Sequence, residues 1–427
     1  MGILHDARLG FKVGVDLLRS RRTRGELARK LSRVAPFAPG TFEIGVYFAD
    51  GDVNLYQLRQ WYKPLAELAK TWPVVILSRN PSAMNALLDE SPVPVVYVRK
   101  VVDLEAVIDQ HPLKLIFYVN QNTRNFQMMR YGRRWHVFIN HGESDKMYMT
   151  TNQFKAYDYS LVAGEAAIAR LNRVLWDYDF DKRAIQIGRP QADHYSGELP
   201  YTPDDRQVVL YAPTWEGDRA SAAYGSIETH GVTLVRQLLA TGQHRVIYRP
   251  HPRSGVVDPN YGAANQQIIR MLAQANQADP AAQHIFDDGN ELGWQLAAAD
   301  MAIVDISAMV YDRLASGKPL FVTRPANALA EIDSSGYLFE AEWLDADEAV
   351  DVVARMDALA HDPEAEARLA YWVGRYFGDT STGATTRRFH DAIAGLMQAW
   401  QINAELHADD APVDEHNPDR GIDQSQL

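Results

Sequence analysis

The stretch Ala299–Thr323, ADMAIVDISAMVYDRLASGKPLFVT, decides the fold. Met301–Val304 is a short apolar run, which reads as a buried parallel strand. Asp305-Ile306-Ser307 is the turn at its carboxyl end, and the Ser307 hydroxyl suits the cap of a following helix. Met309, Val310, Tyr311 and Leu314 fall near one face of that helix, and Gly317 ends it. Lys318-Pro319 leads into a second strand, Leu320–Thr323. The unit is strand–helix–strand, with a polar turn at the top of a parallel sheet. In doubly wound folds ligands bind at such turns. The helix start offers free N–H groups and a partial positive charge to a phosphate.

Outward from this unit, the same alternation recurs along most of the 427 residues. Such a length suits two domains of roughly 150–200 residues with tails. Between Thr41 and Pro190, strands are expected at 42–48, 74–77, 93–98, 113–119, 135–140 and 157–162. Helices are expected between them, one running unbroken over 55–70. A second domain over 191–402 has strands at 207–211, 244–248 and 284–286 before the opening unit, then helices at 347–360, 363–377 and 384–401. The expected class is α/β, with two Rossmann-like doubly wound domains whose turns face a cleft. The first strand–helix turn carries no G-x-G-x-x-G, so a dinucleotide fingerprint is absent there.

Charge is unevenly spread. Residues 1–35 hold nine Lys/Arg against three acids and read as a basic amphipathic helix, followed by a PFAPG linker to residue 40. Its basic face suits an anionic membrane surface or packing against the domain behind it. Residues 403–427 hold seven acids and one Arg and are expected to be disordered. No apolar run reaches the roughly 20 residues of a membrane span, and Lys12 and Asp16 interrupt any signal-peptide core. These features suggest a cytoplasmic protein at the inner face of the plasma membrane. A net charge of −12 disfavours nucleic acid as a partner, and the lack of cysteine excludes disulfides and thiolate chemistry.

Four polar turns carry the chemistry. His141-Gly142-Glu143-Ser144-Asp145-Lys146 follows a strand directly. Its neutral imidazole can take a hydroxyl proton near pH 7, Lys146 can hold a phosphate, and Glu143 can orient the imidazole or a sugar hydroxyl. Arg249-Pro250-His251-Pro252-Arg253 is a proline-stiffened turn whose charges suit a diphosphate. In the opening unit, Ser307 and Ala308 head the helix. Asp312 is placed for a ribose hydroxyl, and Asp305 for His251, an arginine or a loop amide. Thr214, in Ala212-Pro213-Thr214-Trp215, suits a phosphate or a base, and Gly188-Arg189-Pro190 suits a hinge or a phosphate contact. No zinc-binding or Walker pattern appears. No tightly bound cofactor is expected, although a divalent metal such as Mg is compatible. Taken alone, these residues leave open a nucleotide-sugar glycosyltransferase, a UDP-sugar 2-epimerase and a non-catalytic nucleotide-binding scaffold.

Together the turns resemble the CDP-glycerol glycerophosphotransferase family, the teichoic-acid polymerases and primases. The carrying residues are His141 to Lys146, Gly188 to Asp193, Tyr211-Ala212-Pro213-Thr214-Trp215, Arg249 with His251, and Ile303 to Ala308 with Tyr311-Asp312 and Lys318 to Phe321. The resemblance implies a GT-B arrangement, with a CDP-linked polyol donor on the second domain and an acceptor on the first. The acceptor would be a lipid-linked or oligomeric glycan or polyol phosphate. The implied reaction transfers a polyol phosphate to an acceptor hydroxyl and releases CMP. The family's two essential histidines fall on His141 and His251. Arg249, Arg253, Thr214, Asp305, Ser307, Ala308, Asp312, Gly188 and Arg189 fall on the donor side, and Glu143, Ser144 and Lys146 on the acceptor or phosphate side. Glu143-Ser144-Asp145 departs from the family's Thr-Pro, and Ala308 from its second Ser.

Overall fold

The computed structural model describes residues 21–143, 151–289, 291–333 and 335–410. The expected Ser144 and Lys146 contacts, and the first 20 residues of the basic segment, lie outside this set. Two all-parallel sheets account for the two domains. The first has seven strands: β1 (Ile44–Phe48), β2 (Val74–Ser78), β3 (Val95–Tyr97), β4 (Leu115–Tyr118), β5 (Trp135–Phe138), β6 (Tyr159–Val162) and β7 (Ala184–Gln186). Their spatial order is β3-β2-β1-β4-β5-β6-β7. The second has β8 (Gln207–Ala212), β9 (His244–Tyr248), β10 (Ile285–Phe286), β11 (Met301–Val304), β12 (Leu320–Thr323) and β13 (Trp343–Leu344), in the order β10-β9-β8-β11-β12-β13.

Strands β1, β2, β11 and β12 are buried on both faces, as their unbroken apolar runs require. The strand order reverses between β1 and β4 in one sheet and between β8 and β11 in the other. At such reversals the flanking connections leave toward opposite faces and open a crevice at the carboxyl ends of the strands. Ala49-Asp50 and Val119-Asn120 lie at the first crevice, Pro213-Thr214 and Asp305-Ser307 at the second.

Three departures from the sequence reading bear on the site. The helix expected over 55–70 breaks into Leu55–Arg59 and Tyr62–Leu68. At the break, the Trp61 indole donates to Asn140 O, and Gln60 Oε1 accepts from Arg189. The last helix runs Ala384–Leu406, beyond the expected start of the disordered tail. It also returns to the first domain, although 191–402 reads in sequence as wholly second-domain. Its Phe389, Ile393 and Leu396 are buried with Ile44, Trp61 and Phe117.

The described part of the basic segment is helical over residues 21–31. It docks on the first domain: Leu27 is buried, and Lys30 Nζ donates to Asn85 O at 3.1 Å and pairs with Asp89.

Candidate active site

The turn after β5 is built around a left-handed residue. Asn140 has φ 57°, a conformation that asparagine tolerates better than most residues. Its side chain accepts from His141 N at 2.8 Å and donates to Gly142 O at 2.7 Å. His141 Nδ1 lies 2.9 Å from Val119 O. A carbonyl only accepts, so Nδ1 carries the proton and Nε2 presents a lone pair. Burial lowers the basicity of His141, and the nearby Arg189 charge adds to this, against the opposing Val119 bond. The imidazole is therefore neutral at pH 7 with its basic nitrogen defined.

His251 is the converse. Its Nδ1 accepts from Arg253 N–H at 3.1 Å, which puts the proton of the neutral ring on Nε2. Its own N–H donates to Pro213 O at 3.1 Å, tying this turn to the one after β8. Glu216 strengthens the tie, since its carboxylate accepts from Gly255, Val257 and Asp258 N–H at 2.7–3.0 Å. Arg253 lies 3.8 Å over the Trp215 ring, so that indole is a platform for a cation. Arg249 is held by Asp287 and by Gly289 O, and Gln295 Nε2 donates to the same Asp287.

Asp305 resolves to the loop-amide role. It is fully buried, accepts from Thr214 N at 2.7 Å and Ser226 N at 3.1 Å, and takes the Thr323 hydroxyl at 2.5 Å. Burial pushes its carboxyl up to about 6, against these hydrogen bonds. Ser307 caps the helix Ala308–Ala315 by accepting from Met309 N at 3.2 Å. Ala308 is exposed at its first position, where backbone N–H groups face outward.

Two expected side-chain roles change. Asp312 does not face a ribose site: it is 3% exposed and ion-paired with Arg189, and Tyr195 OH donates to it at 3.3 Å. Glu143 is 6% exposed and ion-paired with Arg170, so its carboxylate is held inside the first domain rather than in a solvated loop. Arg189 is the junction residue. It bonds Asp312 of the second domain, Gln60 of the first at 3.0 Å, and Tyr195 at 3.1 Å. A Cβ at Gly142 would stand 3.6 Å from it. The Arg189 charge acts on both His141 and Asp312, and that of Arg249 reaches Asp312.

Gly188 has φ 71°, and a Cβ there would meet the Arg388 and Thr385 side chains within 2.6 Å. Two cavities flank Arg189 and lie apart from the helix start at Ser307. One of about 50 Å³ is behind the His141 turn; the other, about 340 Å³, is at the far end of the helix that Ser307 caps. Among the described residues, no group of three or more His, Cys, Asp or Glu is arranged to hold a metal ion.

Sequence reading placed Glu216 in a motif without giving it a role, and passed over Gln60, Asp287 and Gln295, which with it hold the turns, and Asp50 and Asn120 at the first crevice. Asp50-Gly51 directly after β1 was the available signal for the last pair.

No curated protein matches the chain. Among solved structures, the wall teichoic acid polymerase TagF superposes with a TM-score of 0.56 at 12% identity, covering 95% of this chain and all of that one. A TagF variant soaked with CDPG gives 0.55 at 13% identity, with 95% of this chain and all of that one covered. A putative UDP-N-acetylglucosamine 2-epimerase from Listeria monocytogenes gives 0.50 at 12% identity, covering 87% and 98%. These likenesses establish the two-domain GT-B arrangement. Residues 136–326 match the CDP-glycerol:poly(glycerophosphate) glycerophosphotransferase family, and the chain is accordingly an enzyme of phosphotransferase type.

Proposed function

We propose that the protein transfers a polyol phosphate from a CDP-activated donor to an acceptor hydroxyl in teichoic-acid-like polymer synthesis. The observation that carries this is the His141 tautomer: a neutral imidazole, Nδ1–H held by Val119 O, with Nε2 as its only proton acceptor. In the reaction the acceptor O–H gives its proton to Nε2 while its oxygen bonds to the donor's distal phosphorus. The P–O bond to the α-phosphate breaks, and CMP leaves with that electron pair. His251, with Nε2–H outward, Arg249 and the N–H groups at Ala308 supply donors and positive charge for the diphosphate. Asp305 and Glu216 hold the turns that present them. No step is assigned to a metal.

The acceptor on this reading is lipid-linked, and the basic residues at the chain start bring the enzyme to an anionic membrane surface. None of the helices among the described residues is long and apolar enough to cross a membrane.

A screen of CDP-linked donors with CMP release as readout tests the reaction. His141→Ala should cut turnover by about 10²–10⁴-fold, the usual worth of a general base, with CDP affinity within about twofold of wild type. Release of UDP from a UDP-sugar, with CDP-glycerol inert, would replace this reading by a glycosyl-transfer one.

A further inference from the structure

The first crevice holds a polar cluster that the proposed mechanism leaves unused. Asp50 follows β1 and Asn120 follows β4, the two strands between which the sheet order reverses. Asp50 Oδ2 accepts from Asn120 Nδ2 at 2.7 Å, and Oδ1 from Asn122 Nδ2 at 2.8 Å. Asn120 Nδ2 also reaches Gln57 Oε1 at 2.7 Å. The partners of this carboxylate are carboxamides, with no cation among its described bonds. Gln57 Nε2 donates on to Tyr56 OH at 3.3 Å, and each Asp50 oxygen keeps lone-pair capacity beyond the amide proton it accepts, so the cluster retains acceptor sites for a ligand hydroxyl.

The cluster adjoins the base. Asn120 follows Val119, whose carbonyl fixes His141. Tyr56, next to Gln57, is 51% exposed and stands edge-on to the His141 ring at 6.0 Å. A carboxylate unpaired with a cation repels phosphate, while its lone pairs take hydroxyl protons. An exposed aromatic ring beside such acceptors offers an apolar face and a hydroxyl-binding edge side by side, which is the surface of a sugar ring in complement.

We propose that Asp50, Asn120 and Gln57, with Tyr56 as platform, form the acceptor subsite and that it takes a neutral sugar. Vicinal hydroxyls of that sugar bond the acceptor oxygens, and a further hydroxyl is presented to His141 Nε2. This rests on the transferase reading above and adds the chemical class of the acceptor end: an uncharged carbohydrate rather than a phosphate-bearing terminus.

The test uses the full chain with octyl glucoside and glycerol 3-phosphate as probes. Binding is read by saturation-transfer NMR without donor, and acceptor KM by CMP release with the productive CDP-linked donor. Wild type should prefer octyl glucoside. Asp50→Asn and Asn120→Ala should each weaken it about 10–100-fold, the worth of a hydrogen bond to a charged group, with CDP affinity by calorimetry retained as the control for folding. Asp50→Lys should shift preference toward glycerol 3-phosphate. Unchanged octyl glucoside binding in all three variants, or a wild-type preference for glycerol 3-phosphate, overturns the subsite. Probe binding that is lost in the variants of a protein with no CDP-donor turnover would retain the subsite and refute the transferase reading instead.

Discussion

At the scale of single residues, the two histidines show how one side chain type takes opposite roles from its backbone partner. Val119 O fixes the proton of His141 on Nδ1, and Arg253 N–H fixes that of His251 on Nε2. Burial and Arg189 lower the His141 pKa from the ordinary 6.5. On the proposed mechanism the base is its neutral form, present above that pKa, so the acid limb of kcat/KM should lie below pH 6.5. The stability sign follows from the same shift. Between the unfolded and folded values the unfolded ring binds a proton that the folded one does not, so this group's contribution falls as pH drops through that window. A pH–rate profile with its acid limb above 6.5 would remove His141 as the base. Asp305, whose carboxyl is raised to about 6, titrates in the same region. The limb is therefore best assigned by comparison with Asp305→Asn, in which the second group is silent.

At the scale of elements, the turns at strand ends were legible because each follows an apolar run and holds residues that cannot continue a strand. Their internal wiring was not. The partner of Glu143 is Arg170, 27 residues on, and that of Asp312 is Arg189, 123 residues back. No local pattern links either pair, so both acids read as solvent- or ligand-facing. Strands β7 and β13 span only three and two residues, too short to show a period. The break at Gln60-Trp61 has a local cause, because Pro64 has no N–H to give the Gln60 carbonyl and its ring crowds it; Arg189 and Asn140 then take up the two side chains.

The basic helix divides its faces. Leu27 and Lys30 are committed to the first domain, while Arg21, Arg22 and Arg29 are exposed. Each basic residue near an anionic surface contributes about 1 kcal/mol, so replacing these three by Gln should weaken binding to anionic vesicles about 100-fold. Undiminished sedimentation with such vesicles would leave the helix as a domain strut only.

At the scale of the whole molecule, Arg189 joins the halves. It meets Asp312 from one domain and Gln60 from the other, and Thr385, at the start of the last helix, donates to its carbonyl at 3.1 Å. Arg189→Met leaves the Asp312 carboxylate buried without its cation. The expected cost is about 3–5 kcal/mol in urea unfolding, recovered largely by Arg189→Met with Asp312→Leu. A cost below about 1 kcal/mol for the single variant would show that the pair does not hold the domains. The two-domain plan was legible from alternation alone, but the return of the last helix was not. Its apolar stripe fits either core, and only the fold shows that Phe389 lies 5.4 Å from Trp61 and 6.4 Å from Phe117.

That returning helix sets an order of events during synthesis. Ribosomes emit the chain from its amino end at about 5–20 residues per second, and domains generally fold as they emerge. Here the first sheet keeps one flank open until Phe389, Ile393 and Leu396 have been made, after the entire second domain. The residue that anchors the His141 turn, Trp61, lies on that open flank. The sheet translated first is thus completed only after the second, and the turn that carries His141 gains its last support from a helix made after both.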